Sequence, residues 1–266
     1  MTAGPRARLA AIFHYLWSGW GAIASLLALF ALWDAGNRVY GDLILPSPLA
    51  SIRALGVLWQ DAVLGEALLT TARRALSGFG LAIVIGSAAG IVAGLSVTAA
   101  VLTRPLVTVL MGTPPIAWVV LALIWFGATD ASPIFVVLIA TGPLVFIGAL
   151  QGARTLDGGL AEMARAYRLP AARRFVTVSL PHILSYLFPA WISALGIAWK
   201  VVVMAELLTT PDGVGAGLAV ARTQLDMASA MAWVISVVAL LLMTEYLLLE
   251  PVKRRLETWR EGSGGA

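Results

Sequence analysis

Apolar runs of about 20 residues recur along the chain, separated by shorter polar intervals. A helix needs about 20 mostly apolar residues to cross a bilayer. The pattern therefore predicts six membrane spans, at about 15–33, 76–97, 105–126, 133–150, 183–208 and 228–249. Arg6 and Arg8 precede the first run, as in a secretion signal. That run is long for a signal core and no clean cleavage site follows, so it reads as a retained helix. The stretch 34–65 is mixed. Ser47 followed by Pro48 reads as a helix start, with proline at the first helical position. Leu49, Ile52, Leu55 and Leu58 then recur at helical spacing and predict an interfacial amphipathic helix.

Two spans carry internal features. In the second, Gly78, Ala82, Gly86, Gly90 and Gly94 recur every four residues, which puts small residues on one face. Another backbone approaches such a face closely, either within the subunit or between subunits. In the third, opened by Arg104-Pro105, the middle reads Gly112-Thr113-Pro114-Pro115. Two prolines remove two backbone donors and break the helix. Broken backbone at membrane depth requires surrounding protein or a watery cavity.

Composition agrees with the pattern. Of 266 residues, 60% are hydrophobic and 12% charged. A soluble domain carries about 25% charged residues, so an ordinary soluble enzyme and a disordered chain are both excluded. Cysteine is absent, which removes disulfides and thiolate sites. His14 and His182 are far apart, so no metal centre is expected. The net charge of +4 reflects topology and not nucleic-acid binding. With the N-terminus inside, 12 of the 18 Lys and Arg fall on cytoplasmic segments and five on outer ones. This positive-inside bias places both termini in the cytoplasm.

The most polar interval, 151–182, holds Glu162-Met163-Ala164-Arg165-Ala166-Tyr167-Arg168-Leu169-Pro170 and then Val178-Ser179-Leu180-Pro181. Leu169-Pro170 favours a helix break. Two short helices follow from this, Glu162 to Arg168 and about Pro170 to Val178, projecting from the bundle. The interval resembles the EAA loop of binding-protein-dependent ABC importer permeases. Glu162, Ala164, Val178, Leu180 and Pro181 are in register with that motif. Met163 replaces its first Ala, Val178 its Ile, and Arg168 the usual Gly, a residue that often ends the coupling helix. Leu45-Pro46-Ser47-Pro48, Thr113 to Trp118, Trp125-Phe126-Gly127 and Ala198-Trp199-Lys200-Val201 resemble the nitrate/sulfonate/taurine branch. The similarity covers about Leu43 to Pro251.

The resemblance implies an all-α polytopic membrane protein of the type I importer permease kind. It would be a single domain over 1–266, with six transmembrane helices and a cytoplasmic coupling loop at 151–182. It implies a multi-pass protein of the bacterial inner membrane, working as a homodimer with two ATPase subunits and an extracytoplasmic substrate-binding protein. Glu162, Met163, Ala164, Arg165, Tyr167, Arg168 and Leu169 would dock on the ATPase. The cargo would be a small anionic or polar organic solute. ATP and Mg would belong to the partner. Neither Lys200 nor Lys253 sits in a phosphate-loop pattern, so no catalytic residue, cofactor or metal is assigned to this chain.

Charges inside the spans are the remaining candidates. Lys200 lies well inside the fifth span and Glu206 near its outer end. Ionisable residues at this depth usually face a cavity or a partner. Their spacing of six puts the two on different helix faces. Lys200 either lines a pathway for an anion or snorkels, with Glu245 as a candidate partner. Pro114, Pro115, Trp118, Trp199, Lys200 and Glu206 are the candidate pathway residues. A secondary transporter with broken helices is the competing reading. An intramembrane protease lacks suitably placed Ser–His or Asp pairs.

Overall fold

The computed structural model describes residues 24–156, 159, 162, 163 and 166–244. Helix follows helix, and no strand occurs among the described residues. Residues 24–40 form α1, which continues past the expected end at 33. The extension carries Asp34 and Arg38, which neutralise each other four residues apart at 2.7 Å. The beginning of the first predicted span, with His14, lies outside the described residues.

Helix α2 spans Pro48–Gln60, and the Ser47 hydroxyl accepts a bond from the Ala50 N–H at 3.2 Å. This cap satisfies an otherwise unpaired first-turn donor, as the Ser-Pro pair predicts. Leu55 and Leu58 pack against Leu64, Ala67, Val214, Ala221 and Trp233, whereas Leu49 and Ile52 remain exposed. The amphipathic helix is thus docked on the bundle by one edge of its apolar face.

Helices α3, Val63–Gly94, and α6, Ala131–Arg154, form the centre. The glycine stripe of α3 faces α6. A Cβ added at Gly78 would lie 2.7 Å from the Ile134 carbonyl oxygen, and one at Gly94 would lie 2.5 Å from the Ala153 Cβ. The small residues therefore permit close packing within the subunit. Helix α3 also begins well before the predicted residue 76. The expected span began after Arg73 and Arg74, but the helix continues through them: Arg74 meets the buried Glu206, and Arg73 pairs with Asp130 at the exposed rim.

The third span starts earlier than 105 and is broken as expected. Helix α4 runs Val97–Gly112, with Ser96 accepting from the Ala99 N–H at 3.3 Å, and takes Pro105 into its interior. Helix α5 runs Pro115–Phe126. The two meet at 93° across Thr113 and Pro114, where the prolines cannot continue the helical ladder.

Helix α7, Leu180–Thr209, is entered without a break through a helical turn at Ala171–Arg174 and a π-helical turn at Phe175–Ser179. The expected separate helix over about Pro170–Val178 is thus the foot of the fifth span. Pro181 does not interrupt it, because the widened turn moves the carbonyls away from the proline ring. Helix α8, Val214–Thr223, and α9, Met227–Thr244, complete the described chain. The core joins Ala75, Val119, Val136, Val137, Ala198, Trp199, Val202 and Ala205 from α3, α5, α6 and α7.

Among the described residues, four helices are long and apolar enough to cross a membrane: Val63–Gly94, Ala131–Arg154, Phe175–Thr209 and Met227–Thr244. The bent α4–α5 pair makes a fifth. This supports a polytopic all-helical fold, with four to five candidate spans among the described residues, against six predicted for the whole chain. The shortfall falls on the first span, whose described part, 24–40, is too short for a full crossing.

Candidate functional site

At one end of the bundle, the polar interval places Met163 and Tyr167 on one helical face. The Tyr167 N–H bonds to the Met163 carbonyl at 3.0 Å, so the two side chains follow each other four residues apart. Met163 is 55% exposed and Tyr167 76% exposed. Glu162 is exposed beside them. Ala164 and Arg165 lie outside the described residues. Arg168 adopts a left-handed backbone with φ of 52°. An L-residue with a Cβ is strained there and glycine is not. Arg168 thus occupies the conformation that suits a glycine, and the helical turn ends at this residue, before Leu169-Pro170. The next turn starts at once, since the Arg174 N–H bonds to the Pro170 carbonyl at 2.9 Å. His182, on the same side, meets the Thr155 hydroxyl at 3.2 Å.

The candidate pathway residues divide into two groups. Pro114 and Pro115 form the α4–α5 corner and are exposed. Trp118 follows on α5, half-buried, and its indole N–H has no partner among the described residues. Trp199 is 3% exposed and packs in the core, also with an unpaired indole N–H. Lys200, the next residue, is exposed and has no ion pair among the described residues. Glu206 has no exposure at all. As the spacing of six implied, it does not meet Lys200. Glu245 lies outside the described residues. Trp125 is 56% exposed and stacks edge-on with Phe135 at 5.7 Å.

Glu206 belongs to a charge cluster at the opposite end of the bundle from the 151–182 interval. Arg74, 1% exposed, is its centre. Its guanidinium donates to Glu206 Oε1 at 2.9 Å, to Asp212 Oδ1 at 2.6 Å, and through Nε to Asp130 Oδ1 at 2.9 Å. The Asp212 carbonyl accepts a further bond at 2.9 Å. Arg73, on the next face, pairs with the other oxygen of Asp130. The second oxygen of Glu206 accepts from the Thr71 hydroxyl at 2.8 Å and the Gly215 N–H at 3.1 Å. Gly213 makes room for this carboxylate: a Cβ there would sit 2.5 Å from Glu206 Oε1, and its φ of 97° also suits only glycine. The hydrogen bond from Arg74 holds the Asp130 carboxyl below its ordinary range, with its partial burial opposing. One side chain thus ties α3, α7 and the loops before α6 and α8 into one unit.

The sequence reading missed Arg74, Asp130, Asp212, Thr71 and Gly213. A signal was present. Counting back four from Gly78 along the small-residue stripe reaches Arg74, so periodicity alone puts Arg74 on the buried face and Arg73 beside it. Next to the cluster, a cavity of about 480 Å³ opens between α2, α3, α8 and α9, with Glu66, Asp212 and Asp226 in its wall.

A profile of the family described as the binding-protein-dependent transport system inner membrane component matches residues 82–257. Among curated relatives, a putative aliphatic sulfonates transport permease protein of Escherichia coli strain K12 is 30% identical over 191 residues, 71% of this chain and 73% of the relative. A taurine transport system permease protein of the same strain is 28% identical over 247 residues, 90% of this chain and 89% of the relative. A nitrate import permease protein of Leptolyngbya laminosa is 30% identical over 160 residues, 60% of this chain and 55% of the relative.

Proposed function

The chain belongs to the binding-protein-dependent transport system inner membrane components, and from that premise we propose that it is the permease subunit of an ATP-driven importer for a small anionic or polar organic solute. The observation that carries the coupling is the exposed pair Met163 and Tyr167 beside Glu162, at the foot of a helix continuous with the fifth span. Large apolar side chains exposed on a polar segment mark a protein contact. The partner is an ATPase subunit, which supplies ATP and Mg. Ala164, Arg165, Arg168 and Leu169 complete the docking segment, which is cytoplasmic in the topology that the basic residues favour.

A ligand shifts a conformational equilibrium only by contacting its two states differently. ATP-driven closure of an ATPase pair changes the spacing of its two docking grooves. The foot at 171–179 passes that movement into α7 without an intervening hinge, and so towards Trp199 and Lys200. Two copies of the chain enclose the pathway, with Pro114, Pro115 and Trp118 shaping it at the bent span. Glu206 acts behind this lining, as the buried partner of Arg74. A binding protein delivers the solute on the side of the Arg74 cluster. The relatives carry names for sulfonate, taurine and nitrate transport, which is the basis for an anionic or zwitterionic cargo.

The test is Glu162→Arg in the complete transporter in proteoliposomes. Uptake should fall to background while ATP hydrolysis persists. Normal uptake by an assembled variant would remove the docking role, and uptake that follows an ion gradient without ATP would favour a secondary transporter.

A further inference from the structure

Exposure along α7 follows a helical period. Pro189, Ser193, Lys200 and Met204 are exposed, with Gly196 half-buried between them, while Ala190, Ala194, Ala198 and Val202 are buried. These positions form one stripe. The stripe is not the apolar surface that lipid tails select, because it carries an ammonium and a free hydroxyl. Lys200 lies nine residues from the end of the helix at Thr209 and twenty from Leu180, so about 13 Å of helix separates it from the nearer end. A cation facing hydrocarbon there is strongly disfavoured, and such residues face a watery cavity or a partner.

Three further observations lie on or beside this stripe. A cavity of about 240 Å³ lies between α7 and α9, lined by Ser193, Gly196, Trp199, Lys200, Leu241 and Thr244 among others. This is several times the roughly 30 Å³ of a water molecule. Ser193 has no hydrogen bond among the described residues, although Thr209, Ser236 and Thr244 each bond back to the carbonyl four residues earlier. The indole N–H of Trp199, in the wall of the cavity, is buried and unpaired. An ammonium, a hydroxyl and an indole N–H are all hydrogen-bond donors. Among the described residues no carboxylate lines the cavity.

We propose that this cavity is an anion-binding station within the membrane, where Lys200, Ser193 and Trp199 hold one small oxyanion of the sulfonate, carboxylate or nitrate class on its way through. The inference rests on the permease reading above and adds a site with named donors to it. Lys200 supplies the charge, and the two neutral donors fix the position of the oxygens. Charge-assisted bonds of this kind are about twice as strong as neutral ones.

The experiment uses the absence of cysteine from the chain. Ser193→Cys, or Gly196→Cys, where an added Cβ meets nothing within 4 Å, introduces a single thiol into this subunit. The assembled transporter with its ATPase is treated with an anionic and a cationic methanethiosulfonate reagent. Labelling of this subunit is normalised to each reagent's rate on a free thiol. The anionic reagent should react about tenfold faster, as one nearby charge in a partly aqueous cavity implies. Lys200→Met should abolish that preference and Lys200→Arg should keep it. Val84→Cys, on an exposed apolar face of α3, should not react. If neither thiol reacts with or without ATP, the cavity is sealed and the station does not exist. If labelling shows no charge preference, or keeps it in Lys200→Met, the site is not selective for anions and the proposal is overturned. Co-purification of the ATPase is scored separately, so loss of the partner would strike the permease reading and not the station.

Discussion

Arg74 shows how a charge survives inside an apolar helix. Its five donors are distributed over Glu206, Asp130, Asp212 and a carbonyl, and it is 1% exposed. Replacing a buried pair with apolar groups is often tolerated, whereas removing one partner leaves an uncompensated charge. Arg74→Met should therefore destabilise the detergent-solubilised protein by about 3–5 kcal/mol, read as thermal unfolding. Arg74→Met combined with Glu206→Leu should recover part of that loss. If the single variant were as stable as the parent, the cluster would not be a structural tie. Arg168 makes the opposite point at the other end of the bundle. The family motif has glycine at this place, and the φ of 52° gives the reason for that preference. The substitution was legible in the sequence, and the geometry it preserves was not.

Among the elements, the α3–α6 pair depends on absent side chains. At Gly90 an added Cβ would run into the Phe146 carbonyl and would lie 2.6 Å from the Ala149 Cβ, both fixed parts of α6. At Gly80, on the same helix, nothing lies within 4 Å. Gly90→Ala should thus cost about 1–3 kcal/mol, as overpacking does. Gly80→Ala should be neutral or stabilising, because glycine inside a helix costs roughly 0.5–1 kcal/mol relative to alanine. Equal effects at the two sites would show that the stripe does not set the packing distance. The stripe itself was readable as a period of four. Its partner was not, because a small-residue face fits a neighbouring helix of the same chain or of another copy equally well.

At the scale of the molecule, 171–209 is one continuous helical rod with a single π-helical turn at Phe175–Ser179. It joins the exposed Met163 and Tyr167 to the Arg74 cluster at the far end. If the rod transmits movement, loosening its foot should uncouple the ends. Val176→Gly with Val178→Gly is expected to reduce uptake severalfold while leaving ATPase association intact, measured by proteoliposome transport and co-purification. Full uptake would mean that movement takes another route. The second short helix expected after Leu169-Pro170, about Pro170 to Val178, is helical but not separate, since it runs on into α7. A π-helical turn accommodates Pro181, and no local rule reveals that widening.

The amino-acid order alone determined the membrane setting, the broken third span and the capped start at Ser47. Each is local: hydropathy, proline chemistry and capping act over a few turns of helix. Only the tertiary structure decided where the charges went. Arg74, Asp130, Glu206 and Asp212 are up to 138 residues apart, and a buried charge is stable only when distant partners arrive together. The same holds for Lys200. Its depth was visible in the sequence, but its place beside the cavity of α7 and α9 appears only once the helices are packed.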